Sequence, residues 1–224
     1  MAGGEAGIML FANRREAGEL LTVELKKRNI KFDVILAVPR GGVIIADAIA
    51  AGFNCEMDVI IAKKIGSPDL PEYAVGAVAP DGEVLIHDKI HRLETINENQ
   101  LQRMAAAVQK EINYRLNLYR SYKSPVNITH RKVLVVDDGI ASGFTMRAAV
   151  KYLRRQKVSE IIMAVPVTSY QAYKSLSQEV DEIIVLVIPD QFLAVGPFYR
   201  DFSPVEDRDV VRILQKLRSK NIEA

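Results

Sequence analysis

The chain has 224 residues, 49% of them hydrophobic and 26% charged, which is enough apolar surface for one large buried core. Its net charge of +2 gives no global pull toward nucleic acid. A single cysteine, Cys55, excludes an internal disulfide and suits a reducing cytoplasm, and no apolar run approaches a membrane span.

In chain order, residues 1–12 are small, apolar and poorly periodic, and are expected to be partly mobile. The N-terminus lacks a long apolar core with a basic flank, so no signal peptide is expected. Arg14 to Arg28 reads as a helix through Ala17, Leu20, Leu21, Val23 and Leu25. Asp33 to Val38 is an apolar run of strand length, followed by Pro39-Arg40-Gly41-Gly42 and a helix from Val43 to about Ala51. Met57 to Ala62 is a second strand ending in Lys63-Lys64, and the Gly- and Pro-containing residues 65–73 read as a loop. A hairpin turning at Asp81-Gly82 follows. The three-four spacing of Leu101, Met104, Ala105, Val108, Ile112, Leu116 and Tyr119 predicts one long amphipathic helix from Thr95 to about Tyr122. Thr95 and Glu98 suggest its capping box, and Ser124-Pro125 end it.

Val133 to Val136 is a buried strand that runs directly into Asp137 and Asp138. A loop of small residues follows (Gly139, Ala141, Ser142, Gly143), closed by Thr145, and a helix then runs to about Gln156. Such a loop points its N–H groups at an anion, the helix start adds partial positive charge, and Ser142 and Thr145 offer hydroxyls. A bare phosphate would be repelled by the two carboxylates, so they need diol hydroxyls or a metal to engage. A phosphate with a ribose diol beside it meets both needs. A strand at Glu160–Val167, a helix near Ser169–Ser177, a strand at Glu182–Ile188, an aromatic-rich stretch and a helix at about Val205–Arg218 complete the chain.

The alternation predicts an α/β fold, a doubly wound and mainly parallel sheet flanked by helices. Ligands bind such sheets beyond the carboxyl ends of the strands, so the loops after Val38, Ala62, Val136, Val167 and Ile188 should share one site. The basic runs Lys26-Lys27-Arg28 and Arg154-Arg155 fall near helix ends, where they are expected to face solvent and complement the dipole. Cys55, His87, His91 and His130 have no metal-ligand spacing.

The stretch VLVVDDGIASGFT, Val133 to Thr145, resembles the signature of type I phosphoribosyltransferases. The resemblance covers roughly residues 30–64 and 130–204. It implies that Asp137 and Asp138 hold the ribose 2′- and 3′-hydroxyls of phosphoribosyl pyrophosphate (PRPP). It implies too that Gly139, Ile140, Ala141, Ser142, Gly143, Phe144 and Thr145 hold the 5′-phosphate. Arg40, Gly41 and Gly42 then form the pyrophosphate loop, which in this family often carries a non-proline cis peptide. Lys63 or Lys64 reaches the leaving pyrophosphate, and residues 65–73 take the place of the flexible catalytic loop. IPDQFLAVGPFYRDF resembles the hood over the base, closest to that of the 6-oxopurine enzymes. Phe192 would stack on the base, with Val167 and Leu193 beside it, whereas Phe198 and Tyr199 read as core.

The implied activity is transfer of a 5-phosphoribosyl group to a nitrogen acceptor, a nucleobase by preference, with release of pyrophosphate in cytoplasmic nucleotide salvage. Mg²⁺ is the implied cofactor, held chiefly by ligand oxygens, with Asp137 and Asp138 the candidate protein ligands. The partners are PRPP and a base; neither nucleic acid nor a membrane is expected, and a homo-oligomer is. The chain reads as one domain over 1–224, with an inserted hairpin and long helix at about 74–122 and a hood at about 189–204. The alternative is a non-catalytic PRPP-sensing regulator. Two departures bear on the acceptor. Ala141 stands where the 6-oxopurine enzymes carry an aspartate, and Pro166-Val167 where they carry a lysine, so a standard 6-oxopurine is not the expected acceptor.

Overall fold

The computed structural model of the chain describes residues 11–67, 74–86, 97–121 and 124–222, the last six by backbone alone. Four buried residues, VILA, form β1 (Val34–Ala37), second from one edge of a five-stranded sheet. Parallel neighbours flank it: β2 (Glu56–Val59) on one side and β6 (Lys132–Val136) on the other. β7 (Glu160–Val167) and β8 (Glu182–Val187) continue the sheet in parallel beyond β6. The order β2-β1-β6-β7-β8 reverses direction between β1 and β6. The loops after these two strands therefore diverge and leave a crevice at their carboxyl ends. This is the mainly parallel α/β sheet that the alternation predicts.

Period-two alternation decides which core each strand residue joins. Ile35, Ala37, Leu134 and Val136 face one layer, built on α1 (Arg14–Lys27), α2 (Gly41–Phe53) and α6 (Asp207–Ile222). Val34, Leu36, Val133 and Val135 face the other, built on α4 (Phe144–Arg155) and α5 (Tyr170–Leu176). Asn13 caps α1 by accepting from the Glu16 amide, which fixes where that helix starts. None of the described helices is long and apolar enough to cross a membrane.

Three expectations need correction. Lys63 and Lys64 do not end the second sheet strand. β2 stops at Val59, and the two lysines open a separate strand, β3 (Lys63–Gly66). β3 pairs antiparallel with β4 (Ala74–Val78), and β4 with β5 (Val84–Ile86), in a second sheet. The hairpin of β4 and β5 turns at Asp81-Gly82 as expected, with Gly82 at φ +92°. Of the predicted loop 65–73, Ile65 and Gly66 are strand, and 68–73 lie outside the described residues. The long helix α3 (Glu98–Tyr119) is capped by Asn97, whose side chain accepts from the Gln100 amide; Thr95 lies outside the described residues.

The basic runs are paired rather than merely solvated. Arg155 forks onto Asp81 at 2.9–3.0 Å and reaches Glu83 at 2.9 Å, clamping the hairpin turn to the end of α4. Arg154 pairs with Asp181, Arg28 with Glu24, and Lys26 lies over the Phe53 ring. Residues 11 and 12 are held as well. Phe11 and Ala12 exchange backbone hydrogen bonds with Phe198, Arg200 and Asp201. Residues 1–10 lie outside the described residues.

Candidate active site

The loop after β6 is held open by its neighbours. The Ile140 amide donates to the Val167 carbonyl at 3.0 Å, and the Ser169 hydroxyl donates to the Ala141 carbonyl at 2.6 Å. Gly143 takes φ +72° at the start of α4, and a Cβ there would also press on Leu176 and Ala172. The result is a cleft of about 210 Å³ lined by Val38, Ala62, Asp137 and most of residues 139–146. Ser142 and Thr145 both line it, at the start of a helix whose first-turn amides lack intrahelical partners. The small-residue loop thus forms a concave cleft at a helix start, a geometry suited to an anion.

The acidic pair is asymmetric. Asp137 lines the cleft and accepts from the Asp138 amide at 2.8 Å. Burial, and then repulsion from Asp138, push its pKa well above the ordinary carboxylate range. Asp138 is instead paired. Arg14 Nε donates to its Oδ2 at 2.7 Å, and Tyr199 Oη donates to its backbone carbonyl at 2.6 Å. That tyrosine's own pKa is raised, by burial first and then by Asp138.

Gly41 and Gly42 carry a role beyond loop freedom. A Cβ on Gly41 would overlap the Asp138 carboxylate and stand 2.8 Å from Arg14 Nε. One on Gly42 would meet the Val136 carbonyl at 2.7 Å and the Asp137 Cα at 2.9 Å. The two glycines thus let the start of α2 lie directly on the acidic pair, which joins the two loops of the crevice. The Pro39–Arg40 peptide is cis. Arg40 Nη1 lies 3.9 Å from Asp207 at the start of α6, and Asp207 also accepts from the Tyr119 hydroxyl of α3.

The lysines diverge, since neighbours on a strand point to opposite faces. Lys63 is ion-paired with Glu111 of α3, and burial followed by the nearby Arg115 lowers its pKa. Lys64 is exposed. The base-side residues are scattered. Val167 is buried beneath Gly139 and Val195, and Phe192 stacks on Phe198 with centroids 5.7 Å apart. Leu193 is 97% exposed. Phe198 and Tyr199 are core, as the sequence predicts.

Sequence reasoning missed the polar roles of Arg14, Tyr119, Glu111 and Asp207. Each belongs to a helix whose apolar periodicity explains the helix and says nothing about its polar contacts. Asp207 carried the one usable signal, an acidic residue at a helix start, and that pattern is generic.

Comparison with known proteins agrees with this geometry. A family model described as "Phosphoribosyl transferase domain" matches residues 10–203. A crystal structure of the protein TT1426 from Thermus thermophilus is 36% identical, with a TM-score of 0.80 over 93% of this chain and 99% of that one. Proteins of Mycobacterium tuberculosis strains H37Rv and CDC 1551, each named as a candidate phosphoribosyl transferase, are 31% identical over 215 residues. The match takes in 96% of this chain but 48% of theirs, so the chain spans about half the length of those curated relatives. With the family model running through both crevice loops and the predicted hood, the chain belongs to the phosphoribosyl transferase domain family.

Proposed function

We propose that this chain is a cytoplasmic, Mg²⁺-assisted phosphoribosyltransferase that moves the 5-phosphoribosyl group of PRPP to a nitrogen acceptor and releases pyrophosphate. The observation that carries this reading is the crevice between β1 and β6. It combines a small-residue anion loop at a helix start with a carboxylate on its wall, and an Arg-Gly-Gly turn lies against that acidic pair. One pole suits a 5′-phosphate, the carboxylate a ribose diol, and Arg40 a departing pyrophosphate.

In the reaction the bond from ribose C1′ to pyrophosphate oxygen breaks, and a bond from C1′ to the acceptor nitrogen forms. Positive charge develops on the ribose ring, and the negative charge of Asp137 on the cleft wall favours that state, the Asp138 beside it being paired with Arg14. Arg40, steadied by Asp207, takes up charge on the leaving group. Among the described residues no cluster of three or more His, Cys, Asp or Glu forms a metal cage. An ion carried mainly by ligand oxygens, with Asp137 as the protein carboxylate on the cleft wall, fits this reading. Bound there, Mg²⁺ would neutralise pyrophosphate charge.

We read the acceptor as a nucleobase other than a 6-oxopurine. Ala141 offers no carboxylate to a base nitrogen, and neither Pro166 nor Val167 can donate a hydrogen bond to an exocyclic oxygen. The same reading takes the chain as one domain with an insertion at 74–122 and a hood at 189–204, assembling as a homo-oligomer. A second reading, a PRPP-binding sensor without turnover, draws on the pairing of Lys63 with Glu111, which occupies one of the two lysines.

A mass-spectrometric screen of nucleobases with Mg²⁺–PRPP decides between them. We expect a nucleotide product, with hypoxanthine and guanine among the poorest acceptors. Calorimetry should show PRPP affinity lost in the Asp137→Asn, Asp138→Asn double variant. Binding without product in any reaction supports the sensor, and unchanged affinity in the double variant removes the site assignment.

A further inference from the structure

Arg14 is the most heavily committed cation of the described site. Its side chain is 10% exposed and that of Asp138 15%, so their 2.7 Å ion pair is largely shielded from water. The other arm of the fork, Nη1, donates to the Ser203 carbonyl at 2.9 Å. The guanidinium carbon stands 3.8 Å from the centroid of the Phe202 ring. One side chain thus ties the strand end of β6 to the segment that follows β8, across a sequence separation of 124 residues to one partner and 189 to the other. Backbone bonds extend the tie. Arg200 and Asp201 donate to the carbonyls of Phe11 and Ala12, just before Arg14. On the other flank the ion pair sits directly against Gly41.

We propose that Arg14 is a positioning residue that divides the work of the two aspartates: it anchors Asp138 to the hood segment and leaves Asp137 as the carboxylate presented to the ligand. The proposal rests on the PRPP reading for its ligand half. Two independent observations support the division. Asp137 lines the cleft beside the small-residue loop. The Asp138 carboxylate is also wedged between Arg14 and the start of α2, where its charge is already countered. A guanidinium suits this task because its planar fork donates in two directions while its face stacks on a ring, and a lysine ammonium has no planar face to stack while it donates. Arg14 touches no reacting atom in this scheme. It acts by holding the wall on which Asp137 stands and by fixing the cap segment over the cleft.

The test has two arms. In the first, calorimetry with Mg²⁺–PRPP compares the wild type with Asp137→Asn and Asp138→Asn singly. We expect Asp137→Asn to lower affinity at least about 30-fold, the loss for a charged group bonded to ligand hydroxyls, and Asp138→Asn less than about tenfold. In the second arm, amide hydrogen exchange on the ligand-free protein compares the wild type with Arg14→Met. We expect faster exchange at Arg200 and Asp201 with protection in β7 unchanged, a local effect that general destabilisation does not produce. Where Arg14→Met fails to fold, Arg14→Lys replaces it, since lysine keeps the charge and loses the fork. Asp138→Asn costing as much as Asp137→Asn overturns the division. Hood amides as well protected as in the wild type, or uniform acceleration throughout, overturn the anchor. A wild-type chain that binds no Mg²⁺–PRPP overturns the functional reading and the ligand half of this proposal. The exchange arm, which uses no ligand, still decides the anchoring half.

Discussion

Gly41 shows how one missing side chain organises the crevice. Its backbone lies against the Asp138 carboxylate and the Arg14 guanidinium, and no Cβ fits there without moving backbone or the ion pair. Because α2 packs broadly on α1 and on the sheet, the helix start has little freedom to retreat. Gly41→Ala should therefore cost about 1–3 kcal/mol through overpacking. At about 2–4 °C per kcal/mol for a chain of this size, that is a fall of about 2–12 °C in Tm. PRPP affinity should fall with it, because the acidic pair must shift. A Gly41→Ala variant with unchanged Tm and affinity in thermal melts and calorimetry would show that the loop yields elsewhere.

At the scale of elements, the long helix α3 is docked by one buried carboxylate. Asp58 of β2 is 5% exposed and accepts four hydrogen bonds. Two come from Arg120 at the end of α3, one from the Val126 amide and one from its neighbour Val59. The pair thereby ties the end of α3 and the segment beyond it to the edge of the main sheet. Removing the carboxylate leaves Arg120, three-quarters buried, without its counter-charge. Asp58→Ala should destabilise by about 3–5 kcal/mol, a fall of about 6–20 °C in Tm by calorimetric scanning. The ion pairs of Arg155 with Asp81 and Glu83 are more exposed, so Arg155→Ala should cost far less.

At the scale of the whole molecule, the Asp137 carboxylate opposes folding in the ligand-free state. Asp137 has a folded pKa raised above its unfolded value, by burial first and by Asp138 second. Below the unfolded value, about 3.9, the group is protonated in both states and contributes no penalty. As pH rises from there through the folded value, the folded protein retains a proton the unfolded chain has lost, and stability falls. Above the folded value the penalty is fully present. Asp137→Asn removes it, so the ligand-free variant should be more stable than the wild type at neutral pH, with the gap closing toward pH 4. Denaturant unfolding of both chains across that range checks this, and a gap that widens on acidification would reverse the sign. On the proposed reading, function and stability conflict at this residue, as expected where a site holds a charge for a ligand to complete.

Most of the fold was legible in the sequence because strand and helix periodicities are local. VILA and VLVV read as buried strands, and the small-residue stretch between Asp138 and Thr145 as a loop feeding a helix. The small-residue loop, the acidic pair and the Arg-Gly-Gly turn were readable for the same reason, since each is a contiguous chemical pattern. Lys63 and Lys64 were misplaced because a short strand pairing in a second sheet looks, from sequence, like the end of the strand before it. Arg14 was invisible because its partners, Asp138 and Ser203, lie far along the chain and no local rule links them. The sequence by itself thus determined which loops meet in the crevice. Tertiary structure alone decided which of two adjacent aspartates is ion-paired and which lines the cleft, because charge pairing and burial depend on what the rest of the chain brings alongside.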